Sequence, residues 1–254
     1  MNTKTLLKKL GRLYPQRLAE FYDHPGLQVG PLREDTKKIL LCLDFDDEVM
    51  PSAKEFNPDL IITHHPFIFG TKFRVLSHDP VKARLYNEVV ERGFPIVSYH
   101  TNFDAAQNGM NDALAALLDL QEIKPLDTCP MARGGKLPQP MEVHEFARYA
   151  KEKLGVSYGL LIAEGKKTVE TVAIIGGGGN REYINAMLEG YDIYISGDCP
   201  HNRRREIVLN HYNYLDLPHE IEHAFMEAMK KVLLSIDPSF EIMIVDHERL
   251  PEVI

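Results

Sequence analysis

Short runs of apolar residues alternate along the chain with longer segments in which apolar and polar positions repeat at helical spacing. Such runs are typical of strands that are buried on both faces of a sheet. The pattern therefore predicts an α/β fold: two α/β lobes with mixed sheets flanked by helices. Six strands are expected, at Ile39–Leu43, Leu60–Ile62, Ile96–Tyr99, Val172–Ile175, Ile193–Ile195 and Ile242–Val245.

One segment interrupts this pattern near the middle of the chain. Residues 123–135, IKPLDTCPMARGG, are rich in proline and glycine and have no apolar period. Composition of this kind is typical of loops and linkers. We therefore expect an N-terminal α/β lobe over residues 1–125 and a C-terminal α/β lobe over residues 126–254.

Composition narrows the classes of protein that the chain can be. Its 254 residues, 44% hydrophobic, are enough for two cores, and the net charge of −8 has no basic block that would favour nucleic acid. The three cysteines form no CxxC pair, which indicates neither a disulfide framework nor a thiolate zinc site and fits a reducing cytoplasm. No stretch is apolar enough to predict a membrane span or a signal peptide.

Polar side chains that could bind a ligand or take part in catalysis follow several of the predicted strands. His64 and His65 come after one strand, His100 and Asp104 after the next, and Asp198 after a third; His219 follows the segment YNYLDLP. Ligands of open α/β sheets bind outside the carboxyl ends of the strands. These residues are therefore expected to share one site.

The histidine pair and Asp104 point to metal ions. Neighbouring strand residues face opposite ways, so His64 and His65 are expected to serve two adjacent ions rather than to chelate one. A carboxylate beside imidazoles suits a hard or borderline divalent cation. The alternative for Asp104 is a cap at a helix or turn.

The segment PHEIEH offers further donors. A helix that begins after Pro218, with Asp216 available as its cap, would put His219, Glu222 and His223 on one face. The segment also matches HExxH, the zinc peptidase signature. We disfavour that interpretation because such helices continue on both sides of the motif. The segment IIGGGGN, at 174–180, lacks a dinucleotide or Walker pattern and predicts a tight strand-to-helix turn.

Five motifs together resemble a known family. In order they are YPQRLAEFYDHPGLQVG, DLIITHHPFIFG, VSYHTNFDAAQNGMNDALAALL, VAIIGGGGN and YISGDCPH. They are similar to the Nif-three-like family, also called GTP cyclohydrolase I type 2, in its short form without an inserted domain. The resemblance covers almost the whole chain. It implies a two-lobed α/β subunit, a homohexamer, and a dinuclear metal site in the cleft between the lobes.

The resemblance also implies a ligand set. His64, His65, Asp104 and His219 match metal ligands of the family, and His100 matches a histidine of the same site. The chain departs from the family at the position of the last carboxylate, which is His223 here. Either His223 or the preceding Glu222 would supply this ligand, and His223 is preferred because it keeps the register.

These observations lead to two main hypotheses. The first is a metal-dependent hydrolase of a nucleotide or another small anionic substrate, with two divalent ions per subunit (Zn, Fe, Mn or Ni) and His100 as proton carrier or as a partner that orients a ligand. The second is a non-catalytic metal-binding or regulatory interaction protein. A cytoplasmic homo-oligomer without a membrane or nucleic-acid partner fits both, and the peptidase is a third hypothesis.

Overall fold

The computed structural model describes all 254 residues and divides the chain into two compact units. The first comprises Met1–Ala106 and Phe225–Glu248, and the second comprises Gln107–Ala224 and Arg249–Ile254. Each unit contains a mixed sheet and helices. The predicted α/β class with two mixed sheets flanked by helices is confirmed. No helix is both long and apolar enough to cross a bilayer.

The first unit holds a five-stranded sheet with the order β1-β4-β3-β2-β11. Strands β2, β3, β4 and β11 run parallel, and the edge strand β1 is antiparallel to β4. The strands are β1 (Gly26–Val29), β2 (Lys38–Cys42), β3 (Leu60–Thr63), β4 (Ile96–Ser98) and β11 (Glu241–Ile244). The helices are α1 (Thr3–Leu13), α2 (Met50–Phe56), α3 (Lys72–His78), α4 (Pro80–Arg92), α5 (Thr101–Ala105) and α10 (Ala224–Ile236), with a 3-10 turn at Gln16–Leu18.

Local sequence explains how the central strands of this unit are placed. All four residues of β3 are buried, as expected for a parallel strand covered on both faces. The returning helix α4 has Asp79 as its N-cap and Pro80 in its first turn, two features that favour a helix start. The carboxyl ends of β2, β3, β4 and β11 therefore lie at one edge of the sheet.

The second unit holds a six-stranded sheet with the order β5-β6-β8-β9-β10-β7. Its centre is the parallel set β8, β9 and β10, and the flanking pairs are antiparallel. The strands are β5 (Gln121–Pro125), β6 (Arg133–Glu142), β7 (Leu160–Ala163), β8 (Thr168–Ile174), β9 (Ile193–Ser196) and β10 (Asn213–Asp216). The helices are α6 (Met110–Leu117), α7 (Val143–Lys153), α8 (Tyr183–Leu188) and α9 (His201–Leu209), with 3-10 turns at Asn180–Glu182 and His219–His223.

The six strands expected from apolar runs are present with bounds shifted by at most four residues. The expected irregular segment 123–135 is wrong in part, because β5 and β6 occupy its two ends. Four of the five residues of β5 are exposed and the fifth is partly buried, so that strand has no apolar run to reveal it. Compact contacts divide the chain after Ala106, after Ala224 and after Glu248. The boundary at residue 125 stays a prediction about independently folding lobes.

A fragment of residues 1–125 tests that boundary. It lacks β11, which pairs with β2, and α10, whose Phe225 packs on Phe103 with ring centroids 5.1 Å apart. We expect no cooperative thermal transition by circular dichroism, because the fragment leaves the backbone of β2 unpaired and removes part of the core. A cooperative transition close to that of the full chain would instead support a lobe that ends at residue 125.

Candidate metal centre

Three histidines of the first unit bring ligand atoms together at the carboxyl edge of its sheet. One ring nitrogen each from His64, His65 and His100 lies within 4.8 Å of the others. His64 and His65 follow β3, and His100 follows β4. The His64 side chain is fully buried, whereas those of His65 and His100 are partly accessible. Clustered imidazoles of this kind could hold a metal ion.

The two adjacent histidines do not face opposite ways. Their ring centroids are 5.1 Å apart. The expectation from strand alternation is wrong here, because β3 ends at Thr63 and both histidines lie in the bend beyond it. The Thr63 hydroxyl donates to the carbonyl of His65 at 2.7 Å and tightens that bend.

A hydrogen bond to Nδ1 orients each of the two rings. Nδ1 of His64 donates to the Tyr99 carbonyl at 2.8 Å, and Nδ1 of His65 donates to Oδ2 of Asp44 at 2.6 Å. A proton on Nδ1 leaves a lone pair on Nε2, which is the arrangement that metal-binding histidines use. The geometry thus fits ligation through Nε2 of both residues.

His100 has a carboxylate partner of its own. Its Nδ1 lies 2.9 Å from Oδ2 of Asp23, whose side chain is fully buried. The Thr101 hydroxyl donates to the same carboxylate. Burial alone raises the pKa of Asp23, but the hydrogen bonds from His100 and Thr101 outweigh it and lower the pKa to about 2. Asp23 is therefore an anion that holds the His100 ring in place.

Asp104 lies within reach of the histidines. It is inside α5, which begins at Thr101, so it does not occupy the N-cap position that the sequence left open as its alternative. Its side chain is 11% exposed, and Oδ1 is 3.6 Å from Nε2 of His64. A nearly buried carboxylate is costly unless positive charge offsets it. A cation between these two atoms would supply that charge.

The second unit contributes a separate pair of donors. In the 3-10 turn His219–His223, Nε2 of His219 lies 3.1 Å from Oε2 of Glu222, and Nδ1 lies 2.7 Å from Oδ2 of Asp198. Burial lowers the pKa of His219, but the two carboxylates outweigh burial and raise the pKa to about 9. Here again a carboxylate holds Nδ1 and directs Nε2 toward a possible ligand position.

The glycine loop after β8 makes room for this pair. Gly177 has φ +59°, and an added Cβ would lie 2.4 Å from Oε1 of Glu222 and 3.0 Å from Nε2 of His219. The segment is the strand-to-helix turn that the sequence predicts, since β8 ends at Ile174 and a 3-10 turn begins at Asn180. Its lack of side chains lets Glu222 and His219 pack against the backbone.

His223 does not belong to the groups of ligand atoms that lie close together. Its ring packs near Gly155, where an added Cβ would be 3.1 Å from Cε1. Because the turn is a 3-10 helix, the expected α-helical face of three donors does not form. Asp216 is also not a cap: its carboxylate accepts from the backbone of Cys199 and from Arg204. The geometry favours Glu222 as the last metal ligand, whereas the register of the sequence motif favours His223.

Two carboxylates that contact the clustered histidines are absent from the residues that the sequence suggests. Asp44 stands directly after a predicted strand, so the rule applied to the other strand ends could have found it. Asp23 follows no strand, and only the folded chain brings it to His100. Asp198 was noted as a strand-end residue, and the structure gives it a partner in His219.

Comparison with known proteins places the chain in context. Residues 1–251 match the family described as Duf34/NIF3 (NGG1p interacting factor 3). A "GTP cyclohydrolase 1 type 2 homolog" of Clostridium perfringens is 27% identical over 99% of this chain and 98% of its own length. A relative of that name from Methanocaldococcus jannaschii is 28% identical over 97% of this chain and 100% of its own length.

Solved structures give the same picture. A Bacillus cereus protein related to NIF3 has a TM-score of 0.89 at 20% identity, covering 100% of this chain and 99% of its own, and shows the shared fold. Reduced HcgD from Methanocaldococcus jannaschii has a TM-score of 0.78 at 27% identity, covering 96% and 97%. The family resemblance stated from the sequence is confirmed.

Replacing Gly177 by alanine tests the packing of the second donor pair. Gly190→Ala is the matched control, because Gly190 also has a positive φ (+85°) but its added Cβ meets nothing within 4 Å. Urea unfolding should show a loss of about 1–2 kcal/mol for the control and about 1–3 kcal/mol more for Gly177→Ala. Equal losses for the two variants would mean that Gly177 does not make room for Glu222.

The protonation of His219 is open to direct titration. In metal-free protein an NMR titration should give a pKa near 9, and Asp198→Asn should lower it. This pKa is above the value of about 6.5 in the unfolded chain. The contribution of protonated His219 to the free energy of unfolding is therefore complete below pH 6.5 and is lost as the pH rises through 9. A midpoint below 7 in the unchanged protein would contradict the proximity of the two carboxylates.

Proposed function

This chain belongs to the Duf34/NIF3 family, and on that premise we propose that it is a dinuclear metal protein that hydrolyses a nucleotide or another small anionic substrate. The observation that carries the proposal is the repeated support of the imidazoles. His64, His65 and His219 each have Nδ1 held by an acceptor, which fixes the direction in which Nε2 points. The relatives named GTP cyclohydrolase 1 type 2 homolog agree with a nucleotide substrate.

In the proposed centre both units contribute ligands. His64, His65 and Asp104 come from the first, and His219 and Glu222 from the second. The covalent chain favours this arrangement: Phe225 packs on the His64 ring with centroids 5.1 Å apart, and it follows Glu222 by only three residues. Three residues span at most about 11 Å. This short connection supports the inclusion of Glu222 in the proposed centre with His64, His65 and Asp104.

The donors suit borderline divalent cations. Three imidazoles and two carboxylates match the preferences of zinc, iron, manganese and nickel ions. A pair of such ions would supply positive charge that polarises a substrate oxygen and activates water for hydrolysis. With only two anionic ligands the centre would keep net positive charge, which favours an anionic substrate.

His100 is the proposed proton carrier. Nδ1 of His100 lies 2.9 Å from Oδ2 of Asp23, which holds the imidazole ring in place. A ring nitrogen of His100 is also close to those of His64 and His65. A positioned imidazole can pass a proton to a leaving group near neutral pH. Proximity also permits ligation by His100, so a His100→Gln variant that keeps both metal ions but loses turnover would assign it to proton transfer.

Metal content tests the last ligand. Glu222→Gln should weaken metal binding at least tenfold, because it removes an anionic donor, whereas His223→Gln, a neighbour in the same turn, should bind as the unchanged protein does. Both can be measured by metal analysis after dialysis against graded chelator. The opposite order of effects would restore His223 as the ligand.

Turnover tests the reaction class. Metal-loaded protein should hydrolyse at least one member of a panel of nucleotides, including GTP, and phosphoesters, and Asp104→Asn should abolish this turnover along with metal binding. Stoichiometric metal with no turnover of any compound would reject the hydrolase and favour the regulatory metal-binding protein. We also propose a homohexamer, which light scattering of the same sample measures.

A further inference from the structure

A groove separate from the metal donors lies in the first unit between α1 and the edge of the sheet. Its volume is about 240 Å³, and residues of α1, β1, β4 and α5 line it. On α1 the lining residues are Leu7 and Gly11, which stand on one helical face because they are four residues apart, and Tyr14 joins them from the C-cap of the helix. Further lining comes from Leu27 of β1, from Val97 of β4 and from Tyr99, which directly follows β4.

A glycine within α1 keeps the groove open. Gly11 is inside the helix Thr3–Leu13, where glycine is less favourable than alanine. Close packing does not explain it, since an added Cβ at Gly11 meets no atom within 4 Å. The chain thus tolerates a poor helix former at a position where a side chain would reduce the open space.

The lining is apolar, aromatic and uncharged. None of its ten residues carries a formal charge. The rings of Tyr14 and Tyr99 meet edge to face with centroids 5.9 Å apart. Gln16 and Asn102 add amide groups, of which the Asn102 Nδ2 already donates to the Tyr14 carbonyl at 2.8 Å. Such a lining suits a neutral ring compound and offers no counter-charge to an anion.

We propose that this groove binds a small neutral aromatic molecule, of the size and polarity of indole or a substituted phenol. A 150 Å³ apolar cavity in a protein holds benzene, so about 240 Å³ corresponds to roughly nine or ten non-hydrogen atoms. The ring packs against Tyr14 and Tyr99, and its single polar group pairs with an amide or hydroxyl of the lining. This ligand differs in charge from the anionic substrate of the metal centre.

The groove shares residues with the support of the metal donors. The carbonyl of Tyr99 accepts from Nδ1 of His64 at 2.8 Å, and Oδ1 of Asn102 accepts from the backbone N–H of His100 at 3.1 Å. A ligand in the groove would therefore contact Tyr99 and Asn102, which hydrogen-bond to His64 and His100. The binding site itself does not depend on metal, which separates this proposal from the proposed function.

Titration of full-length, chelator-treated protein with indole tests the proposal. Two-dimensional amide NMR should show saturable shifts at Gly11, Gly26 and Val97, with a dissociation constant on the order of 1 mM. Gly11→Leu, which places a side chain over the groove, should weaken binding at least tenfold. Lys9→Leu adds the same side chain to an α1 position outside the lining and should change binding less than twofold. Indole-3-acetate should bind more weakly than indole because of its charge.

Three results would overturn the proposal. One is the absence of saturable shifts at the groove, and another is equal binding by the Gly11→Leu and Lys9→Leu variants. The third is a lower mass by light scattering for Gly11→Leu alone, which would make the groove a contact between copies of the chain. A folded thermal transition for Gly11→Leu, expected because leucine is the better helix former, ensures that lost binding is not lost structure.

Discussion

One interaction recurs at the candidate site with different partners: an acceptor that holds Nδ1 of a histidine. His64 has a backbone carbonyl, His65 has Asp44, and His219 has Asp198. Each bond fixes the direction of the ring, and with it the direction of Nε2, the nitrogen that would bind a cation. Without these hydrogen bonds, the imidazole rings would have no fixed direction toward a common ligand position.

In each unit, parallel strands explain why such acceptors lie at the carboxyl edge of the sheet. In the first unit β2 leads to Asp44, β3 to His64 and His65, and β4 to His100. In the second unit β9 leads to Asp198, and the chain reaches His219 shortly after β10. Parallel pairing aligns the carboxyl ends of neighbouring strands, and the polar loops gather there because the strand interiors are fully apolar.

How much of this could be predicted from the sequence differs between elements. The buried strands were readable, because a strand covered on both faces must be continuously apolar. The exposed strand β5 was not, and the return of β11 to pair with β2 involves contacts too distant in sequence for a local pattern to reveal. The candidates His64, His65 and Asp104 follow from strand ends, whereas the position of Glu222 relative to His219 depends on a 3-10 turn that helical spacing does not predict.

The proposed dinuclear centre is tested most directly by crystallography of metal-loaded protein with anomalous scattering at the metal edges. We expect two peaks roughly 3.5–4 Å apart, bound by His64, His65, Asp104, His219 and Glu222. A single peak that lacks His219 and Glu222, or a separation of more than about 12 Å between Asp104 and His219, well beyond the span of a two-metal site, would contradict it.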